Sequence, residues 1–477
     1  MLDRAAQYFL DSDSQADRCE DDIWLLGVRH PGWRAPAPVD DERDGEVEAD
    51  EGQRKGVSAL GRRGRNSPTK ARKSPALPPP QQPSFAPSAS TGIPPSSPSS
   101  RSSSPAPPPA TIHGWPASFY HDFYSRPALT YRSHFPLIPC DPPSSIGRGA
   151  RAGPVSSPSE ERGLSTDAGW GCMLRTGQSL LANALVKVHL GRGATTVADA
   201  GTYARLLSLF LDDPSPLSPF SVHRFALEGK RLGKDVGEWF GPSTAAGAIK
   251  SLVNGYGAAG LSVVSCMDGT VYESEVAAAS SAADGARWQK PVLVLINLRL
   301  GIDGINPIYH EAVKTIFRIP QSVGIAGGRP SSSYYFVGAQ ANALFYIDPH
   351  HPRPAVPLQL EAFLLDAYAD SAWATYHCER VRKCALASLD PSMLLGFVIE
   401  NERDWNDFRS RVTEVRRDVH SSPVLPRSRR QPPDVLVYSM PHSSRARRRQ
   451  SSRSPRRRLG GCAARPRPLN PRPRTPH

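Results

Sequence analysis

Cys172 is placed where a sulfur can be made reactive. It follows Gly169-Trp-Gly171 and precedes Met173-Leu-Arg-Thr-Gly-Gln-Ser-Leu-Leu-Ala-Asn-Ala-Leu185. In that run Leu174, Leu181, Leu185 and Val188 share roughly one helical face, with Ala182 and Ala184 able to close-pack. The cysteine is therefore expected at a helix N-terminus. Unpaired N–H groups and the positive dipole end collect there and favour a thiolate, the nucleophilic form of the residue. A cysteine taken alone is more often a small buried core residue. The flanking glycines and the helix-start position favour the nucleophile.

A thiolate needs a base, and the base an orienting group. Leu344-Phe-Tyr-Ile-Asp-Pro-His-His351 offers both. Ala343 to Ile347 has the aromatic and aliphatic composition of a buried strand. In an extended chain Asp348 and His350 project to one side and His351 to the other. His350 would exchange a proton with Cys172, and Asp348 would hold the imidazole tautomer. By itself the pattern equally describes a strand-ending Asp-Pro turn with two surface histidines.

Together the two motifs resemble those of the autophagins, the papain-like cysteine proteases of autophagy. The resemblance extends to Ser125-Arg-Pro-Ala-Leu-Thr-Tyr-Arg-Ser-His-Phe-Pro136, Gly237-Glu-Trp-Phe-Gly-Pro-Ser243 and Arg299-Leu-Gly-Ile-Asp-Gly-Ile-Asn-Pro-Ile-Tyr309. It continues through Pro320-Gln-Ser-Val-Gly-Ile-Ala-Gly-Gly-Arg-Pro330, Thr375-Tyr-His-Cys378 and Leu389-Asp-Pro-Ser392. A short early piece, Ile23-Trp-Leu-Leu-Gly27, also fits. These blocks occur in family order.

The resemblance implies a triad of Cys172, Asp348 and His350. It implies that Tyr131 donates its hydroxyl to an oxyanion hole beside the Cys172 N–H. Two such donors suit a tetrahedral intermediate, although a tyrosine there is otherwise a core residue with a satisfied hydroxyl. It implies that Trp239 lies over the substrate channel; a packing anchor is the alternative. Gly324 to Pro330 is similar to the family's regulatory loop over the cysteine, and its glycines suggest a hinge. Thr176 stands where some family members carry a second cysteine, so a redox switch using that neighbour is not expected.

The implied activity is cleavage of a ubiquitin-like autophagy modifier after its C-terminal glycine, and its release from phosphatidylethanolamine. No metal or organic cofactor is implied. The expected partner is the modifier, as precursor and in lipidated form. Membrane contact comes mainly through the lipidated substrate, and the chain acts as a monomer. Two other readings share the residues: acyl transfer to an amine by the same triad, and an adaptor that binds the modifier without cutting it. An adaptor has no need of all three triad residues.

Composition bounds the rest. From Pro75 to Ala110 there are thirteen prolines and one aromatic, Phe85. Such sequence buries too little apolar surface to offset ordering entropy. The chain therefore divides into 1–30 (start of the catalytic domain), 31–110 (a disordered Pro/Ser-rich insertion), 111–420 (the main catalytic part) and 421–477 (a disordered Arg-rich tail). The net charge of +13 arises in the tail. Residues 421–477 hold fifteen arginines, no lysine and one acid, Asp434, leaving the rest near neutral. With Tyr438 its only aromatic, the tail has little with which to stack bases, and no specific nucleic acid is expected.

The seven cysteines form no Cys-x-x-Cys pair, so a zinc site is not expected. Asp3, Arg4, Asp11 and Asp13 interrupt the start, which lacks a secretory apolar core. Val292 to Leu298 is far short of a membrane span. Free thiols fit a reducing compartment. The expected location is the cytoplasm, with the nucleus and the pre-autophagosomal structure as further places.

The patterns predict helices at 172–190, 199–211, 242–256, 306–317, 358–368 and 404–416. They predict strands at 261–266, 292–298, 333–337, 343–347 and 396–399, with Gln340-Ala-Asn342 closing a hairpin. Helices cluster early and strands late. The expected class is α+β, papain-like: a nucleophile at a helix N-terminus packed on a mostly antiparallel sheet, with a disordered insertion and tail.

Overall fold

Val292-Leu-Val-Leu-Ile-Asn-Leu-Arg299 is apolar at both parities, as a strand covered on both faces must be. It lies within a nine-stranded sheet. The computed structural model describes residues 17–35, 111–140, 163–193, 199–281, 285–329, 332–359, 368, 370–421 and 436–438.

The strands of the main sheet are β1 (Ile23–Leu25), β2 (Val28–His30), β3 (Ser262–Cys266), β4 (Val292–Arg299), β5 (Ser322–Arg329), β6 (Ser332–Gln340), β7 (Ala343–Ile347), β8 (Arg382–Ala385) and β9 (Ser392–Ile399). Their order is β8-β7-β6-β5-β9-β4-β3, with β1 on β6 and β2 on β1. Every pairing is antiparallel except β3 with β4. β5 covers β6 as far as Phe336, and β1 takes the same edge at Gly338 and Ala339. A Cβ on Gly338 would sit 2.6 Å from the Trp24 carbonyl oxygen, so glycine is required where the two backbones meet.

Helices among the described residues are α1 (Ala117–Tyr124), α2 (Cys172–Leu190), α3 (Ala200–Ser208), α4 (Val222–Arg231), α5 (Pro242–Gly255), α6 (Glu273–Ala279), α7 (His310–Ile316), α8 (Asp370–Ala374) and α9 (Glu402–Ser421). Neighbouring residues of β9 show that the sheet is sandwiched. Gly396 faces Leu180 of α2, while Phe397 packs its ring 4.9 Å from Phe408 of α9. Successive strand residues point to opposite faces, so α2 and α9 cover opposite sides. This is the α+β class expected, with a mostly antiparallel sheet.

α2 buries more than the one apolar face read from its sequence. Cys172 to Val186 are all buried, so the helix runs through the core and reaches solvent only in its last turn. Most of its polar side chains bond within the protein, although the Asn183 amide oxygen finds no hydrogen-bond partner. Gln178 donates to the Phe220 carbonyl (2.7 Å), Asn183 to the Pro127 carbonyl (3.1 Å), and Ser179 accepts from the Leu129 N–H (2.9 Å). Arg175 spans two carboxylates, Asp167 at 2.7 Å and Asp212 at 2.9 Å.

The expected hinge at 324–330 is also revised. Through Arg329 it is β5, paired with β6 from Ile325 to Arg329 and with β9 as far as Gly327. Its glycines answer to crowding: a Cβ on Gly324 would meet the Phe336 carbonyl oxygen at 2.5 Å, and one on Gly328 the Ser332 carbonyl oxygen at 2.5 Å. The expected 306–317 helix is a 3-10 turn, Pro307–Tyr309, leading into α7. Residues 360–367 of the expected 358–368 helix, the insertion from residue 36 and most of the tail lie outside the described residues. Within the tail, Leu436–Tyr438 pairs in parallel with Thr270–Tyr272.

Candidate functional site

The sequence before α2 folds into a tight turn around Asp167. Its carbonyl accepts the N–H groups of Trp170 (3.2 Å) and Gly171 (2.9 Å). Its carboxylate accepts the Arg132 N–H (2.7 Å) and grips Arg175. A Cβ on Gly171 would lie 2.4 Å from Asp167 Oδ2, so only glycine lets this carboxylate pass beneath the helix start. No side chain caps α2, which leaves its first N–H groups directed at the space around Cys172.

The opposing wall comes from the end of β7. Asp348 Oδ1 lies 2.7 Å from His350 Nδ1 and also accepts the His350 backbone N–H at 3.0 Å. This fixes the ring relative to its own backbone. The other imidazole edge has Cys172 as its neighbour, and each favours charge on the other. Asp348 and His350 do project together, and His351 is more exposed.

Tyr131 is bound into the same wall. Its N–H donates to the Pro349 carbonyl (2.8 Å), and its carbonyl accepts the Arg353 N–H (2.9 Å). Its ring stands edge-on to His350 at 5.3 Å, and its hydroxyl hydrogen-bonds Cys172. Trp239 is 41% exposed and donates its indole N–H to the Gly169 carbonyl, three residues before the cysteine. All five residues singled out from the sequence therefore meet at one place.

The electrostatics favour a charge pair. Burial opposes charge on His350, yet its hydrogen bonds to Asp348 and Cys172 prevail and push it up to about 9. Burial likewise opposes the thiolate. The His350 hydrogen bond, the Ser333 backbone N–H and Tyr131 outweigh it and bring Cys172 below its ordinary value. Burial also works against the Asp348 carboxylate, and its bonds to His350 still hold it below the usual range.

Three neighbours have no signal in local sequence. Arg382, on β8, donates to Asp348 Oδ2 and approaches His351 Nε2 at 3.1 Å. Tyr334 lies edge-on to His350 at 5.5 Å, on the other strand of the hairpin. Ser333 supplies the N–H at the sulfur. Each reaches the site through strand pairing, which spacing alone does not specify.

Among the described residues no group of His, Cys, Asp and Glu is arranged to hold a metal, and no helix is long and apolar enough to cross a membrane. The described cysteines form no disulfide with one another.

The family description "Peptidase C54 catalytic domain" matches residues 116–411. The chain is 40% identical over 476 residues to "Cysteine protease ATG4" of Cryptococcus neoformans, covering 74% of this chain and 39% of that protein. It is 46% identical over 310 residues to "Probable cysteine protease atg4" of Aspergillus niger, covering 64% and 74%. It is 44% identical over 306 residues to "Cysteine protease 1" of Neurospora crassa, covering 63% and 59%. The chain thus spans well under half the length of the Cryptococcus relative and about three quarters of the Aspergillus one. With more than half of its residues matched to that catalytic domain, the chain belongs to the peptidase C54 family.

Proposed function

We propose that this chain is a cysteine endopeptidase that cuts a ubiquitin-like autophagy modifier after its C-terminal glycine, and that it releases the modifier from phosphatidylethanolamine by cutting the same glycine's amide. One observation carries the reading: His350 is held by Asp348 at 2.7 Å and has Cys172 as the second group that favours its charged form.

Cys172 Sγ attacks the glycine carbonyl carbon, and the carbonyl oxygen becomes an oxyanion. The Tyr131 hydroxyl and the Cys172 N–H stabilise it; removing one such donor costs roughly 3 kcal/mol of the barrier. His350 passes its proton to the leaving nitrogen, of either the next residue or the lipid headgroup. A thioester to glycine remains. His350 then takes a proton from water, hydroxide adds to the thioester, and thiolate departs from a free glycine carboxylate. Asp348 holds the imidazole tautomer throughout. Trp239 walls a narrow channel that admits glycine and excludes residues with side chains.

The modifier is the partner in both reactions, and membrane contact comes through its lipidated form. The expected setting is the cytoplasm, with the chain acting as a monomer. The test is incubation with a tagged modifier precursor, wild type beside Cys172→Ala, read by product mass. A product ending at the glycine, with a free carboxylate, from wild type alone is the expected result. An amine adduct would make the chain a transferase; cleavage by Cys172→Ala would end the nucleophile assignment.

A further inference from the structure

Ser333 and Thr176 form a link between the first turns of α2 and the start of β6. Their hydroxyl oxygens are 2.8 Å apart, and the residues are 6% and 1% exposed. Each oxygen also faces a backbone carbonyl: Ser333 Oγ is 3.2 Å from the Gly327 oxygen, and Thr176 Oγ1 is 3.1 Å from the Met173 oxygen. Two hydroxyls carry two protons. One proton must bridge the pair, and the other satisfies a carbonyl. Ser333 Oγ also touches Met173 Sδ at 3.3 Å, the residue beside the cysteine.

The register explains why this link matters. Ser333 pairs with Gly328 at the end of the β5–β6 hairpin, where the strands have left the centre of the sheet. Its backbone N–H points at the Cys172 sulfur. Thr176 is one helical turn after Cys172, on the same side of α2. The hydroxyl pair therefore fixes the hairpin against the helix within one turn of the sulfur. It does so without touching substrate, imidazole or carboxylate.

We propose that Thr176 and Ser333 are a positioning pair that holds the Ser333 N–H against the Cys172 sulfur and so sets the reactivity of the nucleophile. The proposal rests on Cys172 being that nucleophile, but its test does not require the substrate. An N–H donor stabilises thiolate over thiol, whereas a hairpin free to drift gives the sulfur a weaker donor.

The experiment is the pH profile of iodoacetamide alkylation, followed by mass spectrometry on the peptide containing Cys172, so that the other thiols do not contribute. Thr176→Val removes the hydroxyl at constant shape, and Ser333→Ala removes one oxygen. Each should raise the midpoint by about half to one pH unit, equivalent to roughly threefold to tenfold slower alkylation on the acid side. Thr176→Ser keeps the oxygen and should restore the wild-type profile. The double variant should match either single one, because both break the same bond. A structural role alone would lower the thermal midpoint and leave the profile in place.

Wild-type midpoints in both Thr176→Val and Ser333→Ala would overturn the proposal, as would failure of Thr176→Ser to restore the profile. If either hydroxyl deletion does not fold, the other gives the same reading. A shifted profile in a chain that cleaves no modifier would leave this proposal standing and remove the proposed function.

Discussion

Arg382 holds the Asp348 oxygen that His350 leaves free. With one oxygen on the imidazole and the other on a guanidinium, the carboxylate cannot turn, and the His350 ring keeps a single orientation. Arg382→Leu is expected to lower kcat roughly tenfold with KM little changed. That is well short of Asp348→Asn, which should cost about 10⁴ through the wrong tautomer while modifier binding in a pull-down survives. Steady-state kinetics on a precursor checks both. An Arg382→Leu enzyme that loses affinity and keeps kcat would place the arginine in docking instead.

Removing the Tyr131 hydroxyl tests its proposed contribution to the oxyanion hole. The ring of Tyr131→Phe still stands against His350, and the backbone bonds to Pro349 and Arg353 are untouched. A fall in kcat of about 10² is expected, with stability near wild type. Full activity in Tyr131→Phe would leave the oxyanion to backbone donors alone.

The charge pair gives a pH dependence with a definite sign. The folded value of His350, about 9, lies above its ordinary 6.5. Its stabilising contribution is therefore complete below about pH 6.5 and disappears as pH rises through about 9. Turnover should fall on the same alkaline limb, as the imidazolium that protonates the leaving amine is lost. In Cys172→Ala one of the two hydrogen bonds favouring the imidazolium is gone, so the His350 midpoint read by NMR should drop. An unchanged midpoint would mean that Asp348 alone sets it.

Beneath the site, Arg175 is 1% exposed and pairs with two carboxylates that are 0% and 1% exposed. Removing one partner of a buried ion pair strands the other charge in a medium that solvates it poorly. Arg175→Met is expected to cost about 3–5 kcal/mol in denaturant unfolding. It should also loosen the Asp167 turn, so activity should fall along with stability. Asp167→Asn is expected to do the same, because the Arg132 N–H and Arg175 both rely on its carboxylate.

The parts of this molecule that were legible from sequence are those fixed by local chemistry. Cys172 begins its helix because Gly171 must be glycine over Asp167. Asp348 and His350 share a side because two residues in extended chain do. The hairpin turn at Ala341, with φ of 50°, followed from the polar break between two apolar runs. What stayed hidden depends on partners distant in the chain. Gly324, Gly327 and Gly328 look like a hinge by composition, yet they are glycines because neighbouring backbones leave no room. Arg382 and Ser333 lie beside the site only through their pairing with Tyr346 and Gly328. Short helices such as α4 escaped notice, although Ser221 caps it by accepting the Arg224 N–H. Nothing local to α2 reveals that Asp212 pairs with Arg175.

The pairing of β1 with β6 has a consequence for biosynthesis. Trp24 and Leu25 emerge from the ribosome more than three hundred residues ahead of their partners, Ala339 and Gly338. Until those partners emerge, β1 has only β2 beside it among its sheet partners, and its edge toward β6 stays open. The sheet is then assembled around its late strands and sealed by its first, so a nascent chain arrested before residue 338 cannot seat its own beginning.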